Sequence, residues 1–97
     1  MYESKIKSEK IDRLFETILC LQSVEECYRF FDDLCSFGEI QAMSQRLEVA
    51  KMLREGKTYS EIADETGGSS TTITRVNKCV SYGSNGYQMV LDRCEKK

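Results

Sequence analysis

Histidine and proline are absent from this 97-residue chain, glycine occurs only six times, and no two of the five cysteines form a C-x-x-C pair. Without histidine there is no imidazole base, no Ser/His/Asp triad, no Cys/His dyad and no histidine metal ligand, so a catalytic or metal-centred role is not expected, and no cofactor is implied. The lack of proline and the shortage of glycine favour long uninterrupted helices, and the expected class is all-α. At this length one domain spanning residues 1–97 is the natural organisation. A hydrophobic share of 40% is lean for so short a chain. Part of the apolar surface is therefore expected to be buried against a second copy, in a homodimer.

The cysteines, Cys20, Cys27, Cys35, Cys79 and Cys94, are odd in number and read as reduced thiols of a cytoplasmic protein. The charged start MYESKIKSEK and the absence of a long apolar run give no sign of export or of a membrane anchor. Net charge is -2, but it is unevenly spread. Residues 1–38 carry five basic and eight acidic side chains, whereas residues 39–97 carry nine basic and eight acidic ones. From Thr66 to Leu91 there is no Asp or Glu, only Arg75 and Lys78, which is compatible with a surface kept clear for a polyanion.

Apolar spacing and capping signals divide the chain into six helices. Ile11, Leu14, Phe15, Ile18 and Leu19 predict a first helix from Ser8 to near Gln22. Ser23-Val24-Glu25-Glu26 is a capping box opening a second, with a stripe of Cys27, Phe30, Phe31, Leu34 and Cys35 and a stop at Ser36-Phe37-Gly38. A third helix from near Glu39 is expected to bury Ile40, Met43, Leu47, Ala50 and Leu53 and to end at Gly56. Residues 8–56 are thus assigned to dimerisation. The box Thr58-Tyr59-Ser60-Glu61 opens a short helix over Tyr59 to Glu65, and Ser69/Ser70 cap a fifth that runs to Tyr82-Gly83. A loop at Ser84-Asn85-Gly86 leads to a last helix over residues 87–95, with Lys96 and Lys97 near its negative dipole end.

The spacing Ile62-Ala63-x-x-x-Gly67-x-x-x-x-x-Ile73-x-x-Val76 is that of a helix-turn-helix over residues 58–82. Ala63 is small where the second helix crosses, Gly67 supplies the positive φ of a tight turn, and Ile62, Ile73 and Val76 fill the wedge. In this reading the second helix presents Ser69, Ser70, Thr71, Thr72 and Thr74 to double-stranded DNA, followed by Arg75 and Lys78, while the Tyr59 hydroxyl can meet a phosphate. Ser and Thr are mediocre helix formers, and a merely solvated face would more often use Glu, Lys or Ala.

The words MSQRLEVAKMLREGKTYSEIA and ETGGSSTTITRVNK, above all Gln45-Arg46 and Thr72-Ile73-Thr74-Arg75, resemble the Trp repressor superfamily, and within it a YerC/YecD-like bacterial branch. The resemblance implies an intertwined dimer of six-helix subunits with two helix-turn-helix units. It also implies an effector pocket beside the recognition helix, with two arginines corresponding to Arg46 and Arg75. The family pattern has glycine after the second arginine and serine three residues later, where this chain has Val76 and Cys79, so L-tryptophan is not the expected effector. Pairing with carboxylates such as Glu48 or Asp64, or touching phosphates, is the favoured role of Arg46 and Arg75 over holding an effector.

Glu25-Glu26 and Asp32-Asp33 are sequence neighbours that do not face one another on a helix, and read as solvated faces. The function expected from these residues is a homodimeric, sequence-specific DNA-binding transcriptional regulator, a repressor in the first instance. The alternative is a protein-protein interaction module that kept the fold without DNA binding, a reading supported by the net charge of -2 and the two basic side chains of the recognition helix.

Overall fold

Side-chain caps set most of the helix starts in the structure, a computed structural model that describes residues 2–95. Ser8, in extended conformation, accepts the Ile11 amide and opens α1 (Glu9–Ile18). Ser23 does the same for Glu26 at the start of α2 (Val24–Leu34). The third helix, α3, runs over Phe37–Arg54; α4 covers Tyr59–Thr66, α5 Ser70–Tyr82 and α6 Gly86–Glu95. The fold is all-α, with six helices and no strand among the described residues. The basic pair Lys96 and Lys97, expected beyond the last helix, lies outside them.

Three boundaries depart from the sequence expectation, each for a local reason. Helix α1 stops at Ile18 rather than near Gln22: the amides of Cys20 and Leu21 turn to the carbonyls three residues back, at Thr17 and Ile18. Beyond them the α2 capping box claims the chain, since the Glu26 carboxylate accepts the Gln22 N–H at 2.8 Å, one residue earlier than the Ser23 amide of the standard box. Helix α2 ends because Cys35 is extended (φ -123°, ψ 154°), so Phe37 and Gly38 are not a stop but the first turn of α3.

By contact the chain forms two units, the second beginning at Phe37. In the first, α1 and α2 carry no fully buried residue, and Phe30 packs edge-on to Phe31 with ring centroids 5.4 Å apart. Leu19 is 83% exposed, and Phe15, Tyr28 and Leu34 are exposed as well. In the second unit α3 packs on α4, α5 and α6, α4 packs on α5, and α5 on α6. Its core is Val49, Ala50 and Met52 of α3, Ile62 of α4, Ile73 and Val76 of α5 and Leu91 of α6.

The α3 stripe is therefore only half correct. Ala50 is buried and Leu53 packs against the core, but Met43 and Leu47 are each 41% exposed, while Val49 and Met52, outside the expected stripe, are inside. At 100° per residue, Ile40, Met43 and Leu47 lie on one side of α3 and Val49 and Met52 on the other. The apolar face changes direction along the helix, because only its second half is covered by α4, α5 and α6. Arg54 closes that end: its Nη2 pairs with Asp92 at 2.6 Å and Glu95 at 3.5 Å, and its Nη1 donates to the Gln88 carbonyl. The Gln88 side chain in turn donates to the carbonyl of Val80, so α6 is fastened to both α3 and α5.

Candidate nucleic-acid interface

The α4–α5 pair is set by local chemistry at both ends of α4. At its start the Thr58 capping box is complete: the Glu61 amide donates to Thr58 Oγ1 at 3.2 Å and the Thr58 amide to Glu61 Oε1 at 3.0 Å. The Thr58 backbone N–H first, and the Thr58 hydroxyl second, favour the charged Glu61 carboxylate and hold it below the ordinary glutamate value; burial opposes them, and the charge of Lys57 adds to them. At its end Gly67 takes φ 71°, ψ 6°, the left-handed turn expected of it, and its amide reaches the Ala63 carbonyl. Thr66 ties the turn together. Its hydroxyl donates to the Ile62 carbonyl at 2.7 Å and accepts from the Gly68 amide at 3.1 Å.

Ser69 then caps α5, accepting from the Thr72 amide and donating to the Thr72 hydroxyl, both at 3.1 Å. The two hydroxyls thus engage each other, and Thr72 is half buried. Ser70, Thr71 and Thr74 stand exposed on α5, with Arg75 and Lys78 exposed after them. Ile62 and Ile73 are wholly buried, and Val76 is 2% exposed, so the wedge residues named from spacing do fill the space between the helices. Tyr59 remains exposed, but its hydroxyl accepts a hydrogen bond from Asn77 Nδ2 at 3.3 Å. Asn77, which the sequence reading passed over, ties the start of α4 to the middle of α5.

Beside α5 lies an open cleft of about 620 Å³ that brings Arg46 of α3 together with Thr72, Arg75, Val76, Lys78 and Cys79 of α5, with Ala42 and Tyr87 also in its lining. All four residues named for an effector pocket meet here, with Lys78 added. Among the described residues none of Arg46, Arg75 and Lys78 makes an ion pair; the carboxylate of Glu48 faces Lys51 at 4.0 Å instead. A cleft with three cations and no carboxylate in its lining is suited to an anion, whether phosphate or carboxylate. Gln45 was noticed in sequence only as part of a resemblance and given no role, yet it lines this cleft and a second one of about 490 Å³ on the α4 side. Its Nε2 donates to the Thr66 carbonyl at 3.1 Å.

All five cysteines are free thiols, Cys79 exposed at the rim of the cleft. No group of metal-ligating side chains and no helix long and apolar enough to cross a membrane occurs among the described residues.

The sequence profile of the Trp repressor protein matches residues 9–95. The uncharacterized protein YerC of Bacillus subtilis strain 168 is 54% identical over 96 residues, spanning 99% of this chain and 92% of its own. Two solved structures superpose closely at 48% identity. One is a candidate Trp repressor from Staphylococcus aureus (TM-score 0.90, covering 96% of this chain and 93% of that one). The other is a TrpR-like protein from Eubacterium eligens ATCC 27750 (TM-score 0.91, covering 94% of each chain).

Proposed function

The chain belongs to the Trp repressor family, and on that premise we propose that it is a homodimeric, sequence-specific DNA-binding regulator of transcription, acting as a repressor in the cytoplasm and carrying out no catalysis. The observation that carries this reading is the α4–α5 pair: a left-handed turn at Gly67, a wedge of three buried aliphatic side chains, and an outer face on α5 that exposes Ser70, Thr71, Thr74, Arg75 and Lys78 without an acid. Exposed hydroxyls and methyls at the start of a recognition helix suit base edges, and the cations that follow suit phosphates. Repression is then steric, with two recognition helices entering major grooves about 34 Å apart on a near-palindromic operator.

Two copies are needed for that arrangement, and the apolar surface supports them. Helices α1 and α2 bury nothing fully, Phe37 is 76% exposed, and the first half of α3 leaves Met43 and Leu47 uncovered. Residues 8–56 supply the helices that pack between copies, and the whole chain acts as one functional domain. The acids Glu61, Asp64 and Glu65, exposed on α4, favour the other reading, a protein-binding module without DNA affinity. Selection of bound duplexes from a random pool at low salt separates the two. A regulator yields an enriched near-palindrome, whereas a protein-binding module retains no duplex, a result that would overturn the DNA-binding proposal.

A further inference from the structure

We infer that Gln45, outside the recognition helix, is a positioning residue for sequence recognition: its amide pins the α4–α5 turn to α3 and so sets the pose in which α5 meets DNA. The inference rests on the DNA-binding reading. Thr66 ends α4, where helix carbonyls have no partner within the helix, and the Gln45 Nε2–H supplies one from a different helix, at 3.1 Å. The same Thr66 holds Gly68 through its hydroxyl, so a single residue joins α3 to the turn and the turn to the start of α5. Gln45 lies between the two clefts and lines both. Packing of Gly68 and Ile73 against Val49 sets the distance of the turn from α3, and the Gln45 hydrogen bond adds a directed restraint on its orientation.

The geometry amplifies small errors. Thr74 lies about 6 Å along the helix from Ser70 at 1.5 Å per residue, so a swing of about 10° at the turn carries it about 1 Å. Base-edge hydrogen bonds tolerate a few tenths of an ångström, whereas a flexible cation near a phosphate tolerates much more. Loss of the tether is therefore expected to reduce specific binding and to spare non-specific binding.

The test compares Gln45→Met, similar in size but without the donor, with Gln45→His, whose neutral ring can return an N–H to the same carbonyl. Each is measured on the selected duplex, on a random duplex, and by hydrogen exchange at Gly67 and Gly68. Gln45→Met is expected to weaken the selected duplex about 2- to 10-fold, the range of one net hydrogen bond, to change the random duplex less than about 2-fold, and to speed exchange in the turn. Gln45→His should recover all three values. Parallel loss on both duplexes, or no loss on either, overturns the inference, as does unchanged exchange. If the unaltered protein binds no duplex, the DNA reading fails on its own, and with it the role in recognition. The tether then stands or falls on exchange alone.

Discussion

Replacing Gly67 isolates the backbone contribution of the turn from every packing contribution around it. A Cβ added at Gly67 meets only Gln45 Nε2, at 4.0 Å, so alanine fits sterically. What it must accept is φ 71°. That conformation costs an L-residue about 1–2 kcal/mol, and alanine also lowers the entropy of the unfolded chain, so Gly67→Ala should lose a net amount of about 1 kcal/mol per subunit. For a domain of this size that is roughly 4–8 °C in Tm. Asparagine visits the left-handed region more readily, so Gly67→Asn should cost about half as much. Gly68 provides the control. Its φ is not positive, but a Cβ there would lie 3.2 Å from Thr66 Oγ1, 3.6 Å from a Val49 methyl and 3.8 Å from Ile73, so the larger asparagine should be worse than alanine. Urea denaturation at one fixed protein concentration reads all four variants. A neutral or stabilising Gly67→Ala, or an asparagine no better than alanine at Gly67, would refute the assignment of this turn's cost to backbone conformation.

Three further outcomes follow from the interface. Thr74→Ala should relax base choice at one or two positions and cost about 1–3 kcal/mol on the best duplex, whereas Lys78→Ala should weaken all duplexes alike and reduce the salt slope by about one; salt titrations on selected and random duplexes separate the two. Glu61→Ala should destabilise the fold near pH 7, by a margin that shrinks as the pH falls below the ordinary glutamate range. A carboxyl held low by Thr58 stabilises above its unfolded value and loses that effect as pH falls through the folded one, so paired urea titrations should converge on acidification. Millimolar L-tryptophan should leave operator-binding curves superposed, because Val76, a core residue that also lines the cleft, stands where the family pattern has glycine, and saturable micromolar binding in calorimetry would contradict this.

The α4–α5 pair was legible in sequence because local chemistry dictates it. The Thr58 box, the left-handed Gly67 and the Ser69 cap place α4 and α5 within a residue of where spacing put them, and each signal acts over four residues or fewer. Where the outcome depended on distant partners, the sequence was ambiguous. Apolar residues on two sides of α3 leave a choice of buried face, and only the placement of α4, α5 and α6 selects Val49 and Met52 over Met43 and Leu47. Gln45 and Asn77 were missed for a related reason. An amide on a helix carries no periodic or capping signal, and its role appears only when a carbonyl 21 residues away, or a tyrosine hydroxyl 18 away, is brought alongside it.

The most direct measurement of the central claim is methylation interference on the duplex selected by the protein, read on both strands. Two symmetric patches of major-groove interference, with centres about 34 Å apart, are the expected result, with Thr74→Ala erasing contacts within each patch while the spacing is retained. A single patch, interference confined to the minor groove, or a pattern unaltered by substitutions on α5 would contradict the account of α5 as the recognition helix of a dimer.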